Sequence, residues 1–450
     1  MPQLPPSIER LIPWKGKLAR SLIVAMLGTA GLKAGYAAVG FVVAIVLARM
    51  LGPSGYGTYS FAMAVVAFLA IPSELGIPGL AVREIAITNA RKDWGQMRSF
   101  IRWAHRSTAV FAFSLIVLGL IALFALRDKL DPAKLQCLSL GLILVPIMSL
   151  GSLRGAMLRG LRLVVLGQLP EQIIRPAIFL ALLLAFMVLG SVPRTASWVM
   201  VLQIAATSIA FAAGIYLFLR HRPPELSTIA PASGSNSWLR SSLPFGMSAA
   251  LRLINGRTDI LVLGAFHAAS EVGIYRVAVQ LATFVAFGLQ IVNPIQGPHL
   301  AHLYATGDMR RLQELVTQTS RGVLFVTLPV VLFMIAAGYF VIEKAFGHEY
   351  VSAYVPLLIL CVGQFVNTSM GSVASVLNMT GHERDTAMSI LVGAVVNVGL
   401  NFSLVPRFGM IGAAIATATT LIVWNMIMWR KVYQRVGIEA SPFYRRRTPH

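Results

Sequence analysis

The stretch from Leu47 to Glu84, LARMLGPSGYGTYSFAMAVVAFLAIPSELGIPGLAVRE, constrains the chain more than any other part of it. It joins two apolar segments through a short Gly-Pro-Ser-Gly turn. Before the turn, Ser21 to Leu51 carries only Lys33 and Arg49 as charged residues, and its length suits a tilted crossing of about 30 Å of hydrocarbon. After the turn, Tyr59 to Leu80 does the same. A pair of this kind, with a turn too short to hold a domain, predicts a transmembrane helical hairpin.

Hydropathy and length extend the pattern to twelve spans. They are predicted near 21 to 48, 57 to 80, 104 to 126, 135 to 158, 164 to 189, 196 to 219, 242 to 266, 273 to 295, 318 to 342, 355 to 378, 386 to 406 and 411 to 434. A chain of 450 residues that is 56% hydrophobic and only 12% charged is too apolar for a stack of soluble domains. The N-terminus, with Pro5, Pro6, Glu9 and Pro13, lacks a signal-peptide pattern, so the first helix is expected to remain as an anchor. Cys137 and Cys361 sit in apolar runs without metal-type spacing, and no disulfide, metal or cofactor is predicted.

The net charge of +21 raises nucleic acid as a partner, and the placement of the charges argues against it. Basic residues crowd the turns that share a side with the N-terminus: Arg10 to Arg20, Arg83 to Arg106, Arg154 to Arg162, Arg220 to Arg240, Arg310 to Arg321, Arg384, and Arg430 to Arg447. The opposite turns hold only Arg49, Arg127, Lys129, Lys134, Arg194, Lys344 and Arg407. The positive-inside rule then predicts both termini in the cytoplasm and accounts for most of the basic excess. Arg445, Arg446 and Arg447 are read as an orienting anchor or as contacts to anionic lipid.

The longest loop, RHRPPELSTIAPASGSNSWLR from Arg220 to Arg240, is rich in Pro and Ser and falls near mid-chain. It divides the chain into a cytoplasmic segment 1–20, an N-lobe 21–219, a linker 220–241, a C-lobe 242–434 and a basic tail 435–450. An internal repeat supports the division. At a constant offset of 216, Gly57-Thr58-Tyr59 aligns with Gly273-Ile274-Tyr275, Ser54 with Ser270, Ala62 with Ala278, Phe68 with Phe284, Ala70 with Ala286 and Gly40 with Gly256. An even number of spans per half gives parallel repeats related by an axis along the membrane normal, with a site expected between them.

The hairpin LARMLGPSGYGTYSFA with its following SELG and VREIA resembles the first hairpin of the oligosaccharide-lipid and polysaccharide flippases, within the multidrug, oligosaccharidyl-lipid and polysaccharide exporter superfamily. Asp259 to Gly264 with Glu271 to Ala278, then Leu377-Asn-Met-Thr-Gly381 and Phe408 to Ala416, are similar to the same pattern over nearly the whole chain. The resemblance implies an all-α integral membrane protein of about twelve helices, two parallel six-helix lobes in a V around a central cavity, working by alternating access. It implies a bacterial inner-membrane transporter, not an enzyme. Its cargo would be an undecaprenyl-diphosphate-linked oligosaccharide, passed from cytoplasmic to outer leaflet for O-antigen, capsule or exopolysaccharide assembly, where a polysaccharide polymerase would receive it.

Ionisable groups in mid-span cost roughly 2.5 to 3.5 kcal/mol each and face a bundle interior or a wet cavity. Lys33 shares a helical face with Thr29, Tyr36 and Gly40. Arg175 lies below Gln168 and Glu171 on one stripe. Arg252, Asn255 and Asp259 share a stripe on span seven, and Arg257 points to another side. Arg276 is expected to snorkel to the outer interface. These cations outnumber Glu74, Glu171 and Asp259, so the interior is net cationic, as a diphosphate requires.

Lys33, Arg175, Arg252 and Arg257 are the candidate substrate contacts, with Gln364, Asn367, Asn397 and Asn401 as neutral groups for sugars. Two readings stay open for the acids. Glu171 pairs with Arg175 at i, i+4, or it couples transport to H+ or Na+; Asp259 neutralises Arg252, or it couples. Glu74, before Leu75-Gly76, is read as a cap or gate, and Gly31-x-x-x-Gly35 as helix packing. With no G-x-x-x-x-G-K-[ST] loop, ATP is not used directly, and the membrane potential or an ion gradient must drive transport. Rival readings are a multidrug cation antiporter, expected to have an acidic interior, and a peptidoglycan-precursor flippase, in which two further spans are common. A membrane glycosyl polymerase or ligase would need larger outer loops than RDKLDPAK or GAFHAAS.

Overall fold

The computed structural model describes residues 17–189, 193–230 and 237–442, and among them the chain is helical with no strand. The predicted charges Arg10, Lys15 and Arg445 to Arg447 lie outside the described residues. The first half contains α1 (Lys17–Glu74), α2 (Ile77–Arg91), α3 (Trp94–Ala125), α4 (Pro132–Leu142), α5 (Leu144–Gly160), α6 (Val164–Leu169), α7 (Arg175–Leu189) and α8 (Ala196–His221). The second contains α9 (Trp238–Phe266), α10 (Ala269–Val285), α11 (Phe287–Ala305), α12 (Met309–Ala345), α13 (Tyr354–Ser369), α14 (Val373–Met379) and α15 (Glu383–Val436).

Among the described residues, 8 helical stretches are long and apolar enough to cross a membrane, and the chain is a multi-pass membrane protein. The spans predicted at 242 to 266 and 273 to 295 fall on α9, α10 and α11, which are helical but not among these stretches. Arg252, Arg257 and Asp259 dilute the apolar character of α9, and α10 has only 17 residues.

Two of the long helices are broken. The backbone leaves helical geometry at Gly52 (φ 64°, ψ 176°) within α1 and at Gly409 (φ 53°, ψ −132°) within α15. Positive φ suits glycine, and Pro53 then opens the next helix without an amide hydrogen to lose. α1 is therefore two helices, 17–51 and 53–74, meeting at the predicted Gly-Pro-Ser-Gly turn. Across the Gly409 break the helices pair, and the Asn397 amide reaches Thr420 Oγ1 at 3.3 Å.

Both breaks lie at one end of the bundle, here termed the hairpin end, where they converge on the α9–α10 corner. Gly409 abuts Glu271 and His267, while Gly57, just past Gly52, abuts Ala269. The halves are tied together there. Tyr350 donates to Ala48 O at 3.0 Å, Arg49 to Ala345 O at 2.9 Å and to Lys344 O, and Phe41 stands edge-on to Phe284 at 5.1 Å. One apolar core around Leu47, Ala62, Tyr275, Tyr350 and Val405 draws on both halves.

The opposite, linker end has two separate cores. One joins Ile77, Phe100, Leu153 and Phe218; the other joins Leu300, Leu312, Val376 and Val432. The first two turns of α9 belong to the first of these. Trp238 packs edge-on against Phe100 at 5.4 Å, and Gly246 lies against Leu75 and Gly76. Each half is also strapped by the chain that follows it. Arg98 on α3 donates to Ile229 O, with Leu226 buried beneath. On α12, Gln313 exchanges two 2.8 Å bonds with the Glu439 backbone, and Arg321 donates to Pro442 O at 2.8 Å.

The repeat read from sequence is visible in the coordinates. Adding 216 to Trp94, Ala125, Pro132, Gly160, Val164 and His221 lands within about four residues, roughly one helical turn, of Met309, Ala345, His348, Met379, Glu383 and Val436. The contact between copies is reciprocal. A Cβ on Gly57 would lie 1.6 Å from Ala269 O, and a Cβ on Gly273 would lie 2.1 Å from Pro53 O, each partner being the repeat mate of the other. Such reciprocity marks a local two-fold axis between Gly57 and Gly273. Gly40 and Gly256, also repeat mates, both face open space.

Gly57→Ala and Gly273→Ala are each expected to cost about 1–3 kcal/mol, because backbone must give way, whereas Gly40→Ala stays within about 0.5 kcal/mol. Thermal melts of the purified variants in detergent test this. Indistinguishable melts for all three would contradict the packing described.

Candidate functional site

The densest interior charge lies on α9 and α10, close to the two-fold axis. Arg257 has Arg276 as its foremost electrostatic neighbour, followed by Asp259, Tyr36 and Tyr56. At 1.5 Å per residue, Arg257 sits roughly 13 Å and Arg276 roughly 10 Å from the hairpin end of their helices. The predicted snorkelling of Arg276 is therefore corrected. It is instead an electrostatic neighbour of Tyr56 in the first half, a residue only 3% exposed. Sequence reading missed this because the partner is 220 positions away.

Asp259 does not neutralise Arg252. It is 5% exposed, and its Oδ2 accepts from Tyr275 at 2.7 Å and from Thr417 at 3.3 Å, while its Oδ1 accepts from the Ile260 amide at 2.8 Å. Among the ion pairs of the described residues none joins Asp259 to Arg252 or Glu171 to Arg175. The repeat mate of Tyr275 is Tyr59, which donates to Gln203 Oε1 at 3.2 Å. The same tyrosine position thus serves a carboxylate in one half and a neutral amide in the other.

Linker-ward of the arginine pair the walls are open. Tyr36, 45% exposed, shares the first helix with half-buried Lys33 and with Gly40. Its repeat mate is Arg252, exposed one turn from Gly256. Lys33, Arg252 and Arg257 therefore sit on helices 17–51 and α9, whose glycines flank the same kind of open space on either side of the axis.

Arg175 and Glu171 lie elsewhere, inside the first half. Between α6 and α7 the turn Pro170–Ile174 is a π-helix, and Arg175 N bonds Pro170 O. Glu171 and Arg175 keep a common face through this turn, and Gln168 is not on it. Both charged groups line a cavity of about 30 Å³, room for roughly one or two waters, which is opened by Gly151, Gly155, Gly167 and Gly214. Arg154 borders it, stacked 3.7 Å over Phe211 and donating to Phe211 O at 3.3 Å. Glu171 has Arg175 and Arg159 as charged neighbours, and Glu74 lies close enough to oppose it. Gln168 Oε1 has no hydrogen-bond partner among the described residues.

The neutral candidates divide. Asn397 and Asn401, at 1% and 0% exposure, are buried in the α15 hairpin, where Asn401 donates to Asn397 O at 2.8 Å. Asn255 bonds Leu251 O and, across to α15, Ile390 O at 3.2 Å. Asn255 and Asn397 fasten helices, Asn401 bonds back to Asn397 on its own helix, and all three are buried. Gln364 and Asn367 are half-buried and form a ladder with Asn425, in which Asn425 donates to Asn367 at 2.9 Å and Asn367 to Gln364 at 3.1 Å. Asn425 escaped sequence reading because a lone amide in an apolar run carries no motif.

Residues 24–297 match the model of the family described as polysaccharide biosynthesis protein, and the chain belongs to that family. It is 24% identical over 168 residues to the probable low-salt glycan biosynthesis flippase Agl15 of Haloferax volcanii, a match spanning 37% of this chain and 35% of that protein. It is 23% identical over 406 residues to the probable flippase AglR of the same organism, spanning 88% and 80%. Its fold is that of the superfamily's transporters. An inward-facing MATE family multidrug transporter superposes with a TM-score of 0.72 at 15% identity, over 89% of this chain and 94% of that one. The lipid II flippase MurJ, in an inward closed conformation, gives 0.70 at 13%, over 91% and 87%.

Removing the hydroxyl of Tyr275 takes a donor from a buried carboxylate, and Tyr275→Phe is expected to destabilise by about 1.5–3 kcal/mol, against about 0.5–1.5 kcal/mol for Tyr59→Phe. Unfolding of both variants in mixed micelles measures the difference. Equal losses would mean that Asp259 carries no charge.

Proposed function

We propose that this protein is a flippase that passes a prenyl-diphosphate-linked oligosaccharide, of the undecaprenyl class in bacteria, from the cytoplasmic to the outer leaflet of the inner membrane for surface polysaccharide assembly. The observation that carries the reading is the Arg257–Arg276 pair. Arg257 and Arg276 are electrostatic neighbours with Asp259 as the nearby acid, so two cations against one acid leave positive charge that an anion can balance. A diphosphate offers the bidentate oxygens that guanidinium recognises. Lys33 and Arg252 flank the path toward it from the linker end.

The separate cores at the linker end and the shared core at the hairpin end support a V of two six-helix lobes, open toward the cytoplasm with both termini on that side. Rocking the lobes would expose the pair to the outer leaflet, where polymerising enzymes would take the glycan. Two negative charges moving outward gain about 2.3 kcal/mol per charge per 100 mV, so the membrane potential assists. For coupling to H+ or Na+, Glu171 is favoured over Asp259. It borders a cavity large enough for water, while Asp259 has both oxygens occupied.

The test is the leaflet distribution of lipid-linked oligosaccharide in source cells lacking the protein, read with a membrane-impermeant glycosidase on spheroplasts and inverted vesicles. Build-up in the cytoplasmic leaflet is expected, with Arg257→Gln and Arg276→Gln each rescuing at least about tenfold less flipping than the unmodified chain. A normal distribution, with new sensitivity to cationic drugs, would overturn the reading in favour of a multidrug antiporter.

A further inference from the structure

Two hydrogen bonds that cross between the halves at the hairpin end are copies of one another. Tyr350 of the second half donates to Ala48 O of the first at 3.0 Å, and Lys134 of the first half donates to Gly264 O of the second at 3.4 Å. At the offset of 216, Lys134 is the repeat mate of Tyr350, and Ala48 is that of Gly264. Each donor stands where the chain enters the fourth span predicted for its half, and each acceptor lies in the last turn of the first helix of the other half. Resting on the reading in which the halves rock, we propose that these two bonds, together with Arg49, form a latch that holds the hairpin end closed and releases when the halves part there.

The acceptors are carbonyls near the ends of helices, where the backbone runs out of amides to bind them. Helix 17–51 stops at the Gly52 break just past Ala48, and α9 stops at Phe266 just past Gly264. The third acceptor site is the end of α12, which stops at Ala345. Arg49 of the first half reaches Ala345 O at 2.9 Å and Lys344 O as well. A cation placed there also meets the negative pole of the helix dipole. Lys134 is steadied by Phe61 of its own half, whose ring centre lies 5.8 Å from Nζ. That ring packs so closely on Gly264 that a Cβ there would come within 2.2 Å of it.

Arg49 gives the latch an arm without a counterpart. Its repeat mate is Ala265, and those of Lys344 and Ala345 are Asp128 and Lys129. It stands three residues before the Gly52 break, so the turn that makes the first hairpin also carries a bond to the other half. Arg49 and Lys134 belong to the small set of basic residues on the sparsely charged side of the chain, and both are used across the boundary between halves.

Such a latch is suited to release. Arg49 is exposed and Lys134 half-buried, so water takes over their hydrogen bonds once the halves separate. Bonds of this kind contribute modestly, because protein partners are exchanged for water. Each exists in the closed state and not in the open one, and it biases the equilibrium between the two by its own strength. With three arms on three helix ends, losing one shifts the balance between states and leaves each half folded.

The experiment uses the full chain in lipid nanodiscs, with Cys137 and Cys361 replaced by Ala and spin labels attached through Asp128→Cys and His348→Cys. The native side chains there are 88% and 81% exposed, one in each half beside a latch donor. Pulsed electron paramagnetic resonance reads the distance between them. Arg49→Gln, Lys134→Met and Tyr350→Phe are each expected to raise the ratio of open to closed hairpin ends about three- to tenfold, and Lys134→Met with Tyr350→Phe by about the product of the two. Lys134→Arg should stay within about twofold of the unmodified chain. Tyr354→Phe is the reference, because Tyr354 donates to Ile335 O at 2.6 Å inside the second half and its loss should not change the ratio. Unchanged ratios in the three latch variants, or an equal shift in Tyr354→Phe, would overturn the proposal. A single unaltered distance even in Gly57→Leu, which wedges the seam, would remove the rocking itself and the latch with it.

Discussion

Everything in this molecule depends on how closely Gly57 and Gly273 let two copies of one helical hairpin approach. In hydrocarbon, helices gain nothing from hiding apolar surface, and association comes from van der Waals contact and weak polar contacts between backbones. A glycine facing a carbonyl from the other copy supplies both. The seam is thereby tight but holds no strong bond of its own. The directional bonds that assist it, Tyr350 to Ala48 and Arg49 to Ala345, lie at the hairpin end. By contrast the linker end has two separate cores, the first of which also takes in the opening turns of α9, and each is strapped by the chain that follows it, at Ile229 and Glu439.

Eight spanning stretches were legible from length and hydropathy, since spans follow from bilayer thickness, and ten of the twelve predicted intervals fall on them, whereas those at 242 to 266 and 273 to 295 do not. Two-fold organisation was legible too, because Gly57 and Gly273 leave a mark that survives when most residues differ. The charged site was legible in its composition and not in its partners. Asp259 and Arg252 lie on one helical stripe, yet a carboxylate is claimed by whichever donors tertiary packing brings, here Tyr275 and Thr417. Arg276 was judged by its nearness to a helix end, a rule for lipid-facing side chains that fails when the side chain faces another helix. Arg175 was rightly set beside Glu171, and the two line one cavity inside the first half without Gln168. Asn397 and Asn401 show the remaining limit: an amide in an apolar helix reads alike whether it faces a cavity or a neighbouring helix.

The halves share a scaffold and divide the chemistry. At the repeat offset, the mates of Arg257, Asp259 and Arg276 are Phe41, Val43 and Ser60. Phe41 does at its position what an apolar ring can do, packing on Phe284 and Phe346 of the second half. Charge sits on one copy and adhesive apolar surface on the other. Had both copies carried the arginines, four cations would meet near one axis and oppose closure of the seam; had neither, nothing at the axis would recognise an anion.

Besides Lys33, the first half holds charged residues that line its own interior. Arg154, Arg175 and Glu171 surround a small polar cavity behind the helices that face the second half. A charge there can alter the packing of its own half without touching cargo at the axis. The symmetric backbone contacts and the asymmetric side chains are thus carried by different residues of the same repeat, so that the side chains can change in sequence while the seam at Gly57 and Gly273 stays as it is.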